Sequence, residues 1–253
     1  MTNIIMHGCN GKMGQVITRI VAEDPDAEIV AGIDLTGEVK NDYPVFRTIE
    51  ECNVEGDVII DFSNAAAVDA LLEHSRSRHI PVVLCTTGLS AEQLELVSQV
   101  SKETAVLKSA NMSMGINTIL KLVREAAKVL ANAGYDMEIV EMHHNQKVDA
   151  PSGTALALAD AINEAMDHQY HYQYDRTQVH AKRDPKEIGI QAVRGGSIVG
   201  DHQVLFCGPD EVVEIRHTAY SRSIFAKGAV QAAKFLKGKE AGMYDMSDVI
   251  AAF

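Results

Sequence analysis

Asn3-Ile4-Ile5-Met6-His7-Gly8-Cys9-Asn10-Gly11-Lys12-Met13-Gly14 carries the fold of the first half of the chain. Its opening residues are a short apolar run of strand length and its glycines mark a tight turn. From Lys12 the spacing becomes helical, with Met13, Val16, Ile17 and Ile20 on one face of a segment reaching Ala22. Strand, glycine turn and helix in that order present backbone N–H groups at a helix N-terminus, where a pyrophosphate is held. The pattern is G-x-x-G-x-x-G, one residue longer in its first gap than the common dinucleotide fingerprint. Asp34 closes the next apolar run, residues 29–33, at the position where a carboxylate holds the adenine ribose hydroxyls. The competing reading is a glycine-rich turn with an unrelated aspartate; strand, turn, helix and acid in sequence favour the nucleotide site. Asp34 disfavours a 2′-phosphate and Lys12 favours one, so NADH and NADPH both stand as cofactors.

Outward from this segment, apolar runs at 58–62, 81–85 and 105–107 alternate with helical patterns at 65–76 and 90–102. That alternation predicts an α/β, doubly wound Rossmann-type sheet with ligands beyond the carboxyl ends of its strands. Cys85-Thr86-Thr87-Gly88 and Ser109-Ala110-Asn111-Met112-Ser113 each follow a strand at that end, although such residues are also ordinary turn formers. From residue 114 the pattern changes to an amphipathic helix (116–131), a strand (137–142), a helix (153–166) and three β-rich stretches (188–194, 197–206 and 211–218) without intervening helices. Consecutive strands predict a mixed or largely antiparallel sheet in a second, α+β domain. Residues 166–183 are polar and aperiodic and read as a long surface loop. The expected division is 1–113, 114–222, and a segment 223–253 whose helix returns to the first domain.

The bulk properties exclude several classes. A formal net charge of −12 argues against nucleic acid or an anionic membrane as partner. The longest apolar runs fall far short of the roughly 20 residues of a membrane helix. The N-terminus enters a strand with no basic region or cleavage signature, which predicts a cytoplasmic protein. Cys9, Cys52, Cys85 and Cys207 are dispersed, with neither metal nor disulfide spacing, and read as free thiols.

In an acidic chain, local positive charge stands out. Residues 141–154, E-M-H-H-N-Q-K-V-D-A-P-S-G-T, hold His143, His144 and Lys147 just before a helix start. The histidines titrate near neutral pH, the lysine is a compact cation, and Ser152 as N-cap leaves the N–H groups of Gly153 and Thr154 to an anion. The set suits binding an acidic metabolite and moving a proton. No third ligand stands at metal spacing, so no metal is expected.

Together these motifs, with D-F-S at 61–63, T-T-G at 86–88, S-A-N-M-S at 109–113, R-G-G-S-I-V-G-D-H at 194–202 and H-T-A-Y-S-R-S-I-F-A-K-G-A at 217–229, resemble the dihydrodipicolinate reductase family over nearly the whole chain. The resemblance implies NAD(P)H-dependent reduction of 4-hydroxy-tetrahydrodipicolinate, a cyclic dicarboxylate, to tetrahydrodipicolinate in the diaminopimelate route to lysine. It implies that Gly8, Cys9, Asn10, Gly11, Lys12, Met13, Asp34, Cys85, Thr86, Thr87, Ser109, Ala110, Asn111 and Met112 meet the cofactor. It further implies that His143 and Lys147 are the acid/base pair, that His144, Ser152, Gly153 and Thr154 bind substrate, and that the second domain builds a homotetramer. Two departures stand out: Cys85 replaces a common Gly, and Leu35 stands where some members carry a basic residue. The competing readings are another dehydrogenase of an amino-acid pathway and a nicotinamide-binding redox sensor.

Overall fold

In chain order the computed structural model, which describes residues 1–253, comprises β1 (Thr2–His7), α1 (Lys12–Ala22), β2 (Ala27–Ile33), β3 (Val45–Phe46), β4 (Val58–Asp61), a 3₁₀ turn (Ala65–Ala67), α2 (Val68–Arg78), β5 (Val82–Leu84), α3 (Ala91–Val100) and β6 (Ala105–Leu107). There follow α4 (Met114–Leu130), β7 (Asp136–His143), α5 (Gly153–Ala165), β8 (His171–Gln173), β9 (Glu187–Arg194), β10 (Gly200–Cys207), β11 (Val212–Ala219), α6 (Ser223–Leu236), β12 (Gly242–Tyr244) and α7 (Met246–Ala251). The chain divides into two units, Met1–Met114 with Ser223–Phe253, and Gly115–Arg222.

The first unit holds a seven-stranded sheet, ordered β12-β6-β5-β4-β1-β2-β3, in which every pairing is parallel. Parallel strands need covered faces, and the central strands are apolar on both sides. Ile4, Met6, Val58 and Ile60 pack with Ile17 of α1, Ala229 and Ala233 of α6, and Val249 of α7. Ile5 and Ile59 pack the other way, with Leu71 and Leu72 of α2 and Val97 and Val100 of α3. Small residues let α6 lie close: a Cβ at Gly228 would stand 1.6 Å from the Met112 carbonyl oxygen. Local signals start the helices, with Asn64 accepting from Ala66 N and Ser90 forming a capping box with Gln93. Strand β12 and helix α7 lie in a stretch for which the sequence gives no periodic signal.

In the second unit the sheet order is β11-β10-β7-β9-β8. β7, β9 and β8 are mutually parallel, while β10 runs antiparallel to both β7 and β11. The sheet is therefore mixed, the first of the two expected alternatives. The reason is topological: α5 carries the chain from the end of β7 back to the start of the sheet, so β9 runs parallel to β7. β9 and β10 then flank β7 instead of pairing, and residues 195–199 cross over its carboxyl end. Gly195 N donates to His143 O (2.9 Å), Asn145 N donates to Gly196 O (3.2 Å), and Gly196 takes a φ of +51°.

The core under α4 and α5 is apolar, built from Ile116, Ile119 and Val123 of α4, Leu158 and Ile162 of α5, and sheet residues such as Ile139 and Val204. The stretch read as a loop, 166–183, contains the edge strand β8 and is tied down by Arg183. Its guanidinium donates to Glu138 Oε1 (2.9 Å), Asp136 Oδ1 (2.8 Å), Met137 O (2.9 Å) and Glu187 O (2.6 Å). No helix of the chain is long and apolar enough to cross a membrane.

Candidate active site

The strand order reverses around β1, whose neighbours are β2 and β4, and a crevice of about 620 Å³ opens at the carboxyl ends of these strands. His7, Gly8, Gly11, Asp34, Arg47 and Ser63 are among its walls. The glycine loop is shaped by close approach: Gly8 has a φ of +82°, and a Cβ there would lie 2.5 Å from Phe62 O. At Gly14 a Cβ would lie 2.3 Å from Gly8 O. Gly11 is the N-cap of α1, supplies no side-chain acceptor, and is followed by a first turn without acids. An uncapped helix start beside a crevice of this size fits the diphosphate of a dinucleotide.

Asp34 ties the glycine loop to the turn after β2. Its Oδ2 accepts from Asn10 N (3.2 Å), and its Oδ1 accepts from Thr36 N (3.1 Å) and Thr36 Oγ1 (2.8 Å). Burial would raise its pKa, but the donors from Thr36 and Asn10 outweigh it and keep the carboxyl below its ordinary value. Nearby, His7 Nδ1 lies 2.8 Å from Asp61 Oδ1, which also accepts from Ser63 Oγ at 2.6 Å. Thr86 is buried, and its hydroxyl accepts from Ser63 N (3.1 Å).

Among the other cofactor candidates, Cys9 and Met112 have buried side chains in the core, so they can meet a ligand only through backbone atoms. Met13 is partly buried against that core, whereas Lys12 is exposed. Cys85, Thr87, Ser109, Ala110 and Asn111 follow β5 and β6 at the same carboxyl edge, outside the walls of the crevice.

In the second unit the buried face of β7 runs Met137, Ile139, Glu141, His143 by simple alternation. Its first two residues join the apolar core and the last two form a polar end beneath the start of α5. Glu141 is fully buried and accepts four hydrogen bonds, from His143 Nδ1 (2.6 Å), Arg194 Nη1 and Nη2 (both 2.7 Å) and Ser152 N (3.0 Å). Burial pushes its pKa up, yet Arg194, His143 and Ser152 together hold the group below its ordinary value and therefore ionised. An ionised carboxylate only accepts, so His143 carries hydrogen on Nδ1 and keeps Nε2 for proton exchange. Gly200 on β10 makes room for that nitrogen: a Cβ there would sit 3.1 Å from it.

Ser152 caps α5, its hydroxyl accepting from Ala155 N (3.1 Å) and lying 2.9 Å from His202 Nε2. Gly153, the first residue of the helix, is exposed with no atom near the place of a Cβ, so the helix start faces open space. Thr154 is half-buried in the same turn. His144 faces away from His143, accepting from Gln146 N at its Nδ1 (3.2 Å). Lys147 donates to both carboxylate oxygens of Asp149 (2.8 and 2.9 Å). The fold thus joins His143 and Ser152 through Glu141 and holds Lys147 by an ion pair within its own loop. Glu141, Arg194 and His202 had no role in the sequence reading. Their signals were the two-residue step from Glu141 to His143 and the R-G-G-S-I-V-G-D-H stretch. No group of three or more His, Cys, Asp or Glu side chains is arranged to hold a metal ion.

Comparison with known proteins covers nearly the whole chain. Residues 2–112 match the family model described as dihydrodipicolinate reductase, N-terminus, and residues 115–250 match its C-terminus counterpart. The 4-hydroxy-tetrahydrodipicolinate reductase of Caldanaerobacter subterraneus subsp. tengcongensis is 51% identical over 250 residues, covering 99% of this chain and 98% of the relative. That of Clostridium tetani is 50% identical over 246 residues, covering 97% and 96%. Among solved structures, a dipicolinate-bound dihydrodipicolinate reductase from Paenisporosarcina sp. TG-14 matches with a TM-score of 0.81 and 26% identity, covering 97% of each chain. The chain belongs to the dihydrodipicolinate reductase family.

Proposed function

We propose that this protein reduces 4-hydroxy-tetrahydrodipicolinate to tetrahydrodipicolinate with NADH or NADPH, and that His143 is its proton donor. The observation that carries the assignment is the buried Glu141–His143 pair beside the open start of α5. Gly8, Gly11 and Asp34 hold the nicotinamide cofactor at the crevice of the first unit; when bound, it supplies the hydride. One carboxylate of the substrate accepts from the N–H groups of Gly153 and Thr154 and from the Thr154 hydroxyl. His144 stands beside it as a further donor, and Lys147 exchanges Asp149 for the substrate's carboxylate. Once the 4-hydroxyl has left as water, reduction of the resulting conjugated ring leaves an enamine, and His143 Nε2 delivers the proton that completes the product. Glu141 stabilises the imidazolium before transfer and fixes the ring throughout.

The same reading carries a cytoplasmic enzyme assembled as a homotetramer through the second unit's sheet. Val193, Ile198, Val212 and Val213 there are exposed apolar residues that such an interface would cover. The test supplies the condensation product of pyruvate and aspartate semialdehyde and follows oxidation of NADH and NADPH in parallel. The expected result is rapid oxidation that falls about a hundredfold or more in His143→Gln, the loss typical of a general acid. Oxidation of neither cofactor by the wild type would refute the activity, and an unimpaired His143→Gln would refute the proton donor. Sedimentation of the purified protein tests the tetramer.

A further inference from the structure

His202 lies on β10 with 4% of its surface exposed, and it touches both halves of the proposed chemistry. Its Nε2 meets the Ser152 hydroxyl at 2.9 Å, and its ring stands edge-on to that of His143, with centroids 5.1 Å apart at 74°. We infer that His202 is a positioning residue for the reduction, setting from one strand both the first turn of α5 and the plane of the His143 ring. This rests on the roles given above to His143 and the start of α5.

The hydrogen-bond inventory supports the assignment. Ser152 Oγ accepts from Ala155 N and still has its hydrogen and a second lone pair, so it bonds His202 Nε2 in either neutral tautomer of the ring. Nδ1 of His202 is buried without a partner, as is Nδ1 of His217, which faces His202 directly across the β10–β11 pair. An unsatisfied buried ring nitrogen is unfavourable, and an apolar side chain would continue the Val204 and Phe206 face without it. A histidine held here against that cost is explained by the contacts it makes. Burial first, and then the neighbouring His143, hold its pKa down to about 4, so it adds no charge beside the proton donor at neutral pH. The other charged groups near it are Glu141, opposite it on β7, and Asp201, its neighbour along β10, held by Arg216 and Thr218.

The test uses His202→Phe, His202→Gln and Ser152→Ala in the full chain. It measures the Kd for dipicolinate by calorimetry, the Kd for NADH, kcat and kcat/KM across pH, and thermal unfolding. His202→Phe is expected to weaken dipicolinate about fivefold, the weight of one hydrogen bond, with NADH affinity unchanged. It also lowers kcat and alters the rate profile, because the His143 ring loses its fixed alignment with Glu141. His202→Gln, whose amide reaches Ser152 but offers no ring, recovers dipicolinate affinity and leaves the rate profile altered. His202→Phe combined with Ser152→Ala binds dipicolinate no more weakly than Ser152→Ala alone. Loss of thermal stability with unchanged dipicolinate affinity and rate profile would overturn the assignment, as would additive losses in the double variant. If His202→Phe does not fold, His202→Gln decides: a wild-type rate profile refutes the role. Dipicolinate binding needs no turnover, so an inactive wild type would sink the proposed activity separately.

Discussion

Replacing Glu141 by Gln preserves the shape of the side chain and removes its charge at the junction of β7, β9 and α5. The carboxylate accepts four hydrogen bonds, from His143, twice from Arg194, and from Ser152 N. An amide has one oxygen, so at most half of these survive, and its NH₂ must face an Arg194 N–H together with His143 Nδ1 in one orientation or Ser152 N in the other. A hydrogen bond to a charged group contributes about 1.5–3 kcal/mol, and losing the one to His143 in the protonated state corresponds to about 10- to 100-fold in kcat/KM. Arg194, one-fifth exposed, keeps partial access to water, so the stability loss falls below that of a fully buried broken pair, at about 2–3 kcal/mol or about 4–12 °C in Tm. Initial rates of NADH oxidation against pH give the first number and calorimetric melting gives the second. A Glu141→Gln enzyme with kcat/KM within about twofold of wild type at every pH would refute the dyad, since even the weakest charge-assisted bond predicts more.

Three further outcomes follow from single sites. Gly8→Ala forces a left-handed residue and a 2.5 Å approach to Phe62 O, so fluorescence titration should show NADH and NADPH affinity falling by about tenfold or more, while dipicolinate affinity is kept. Gly200→Ala puts a methyl 3.1 Å from His143 Nε2, and steady-state kinetics should show kcat depressed by about tenfold with little change in Tm. His202 supplies a pH-linked stability term: its pKa is 6.5 unfolded and about 4 folded, so between these values the unfolded chain binds a proton that the native state refuses. Stability therefore falls as pH drops from 6.5 towards 4, by up to about 3 kcal/mol from this group. Denaturant unfolding at about pH 7 and about pH 4.5 should show a smaller difference in His202→Gln than in wild type, and an equal difference would refute the linkage.

What the chain discloses in one dimension is what local physics decides. The glycine turn before Lys12 and the cap at Ser152 read correctly because their partners lie within a few residues: Gly11 N bonds Gly8 O, and Ser152 accepts from Ala155. Glu141 did not read because the residue that makes a carboxylate tolerable there, Arg194, is 53 positions away. Without it, an acid in a strand looks like an outward-facing residue. His202 and Ser152 are separated by 50 positions for the same reason. The strand order of the second unit escaped because three successive β stretches carry no mark saying that β7 will lie between two of them. Within the polar stretch 166–183, β8 spans only His171–Gln173 and Arg183 finds its partners on β7 and at the start of β9, none of which leaves a periodic signal.

The crossing of residues 195–199 over β7 also sets the order in which the molecule can be made. During synthesis β7 emerges before both neighbours that enclose it, and the surroundings of His143 stay open until β9 and β10 have left the ribosome. The first unit waits longer still: the sheet face formed by Ile4, Met6 and Ile60 has its α6 cover only once residues 223–236 are released. A nascent chain therefore exposes part of that apolar face for most of its translation, and premature termination anywhere before α6 yields a product in which α1 alone covers it. Truncations in this stretch are accordingly expected to be chaperone substrates rather than soluble fragments.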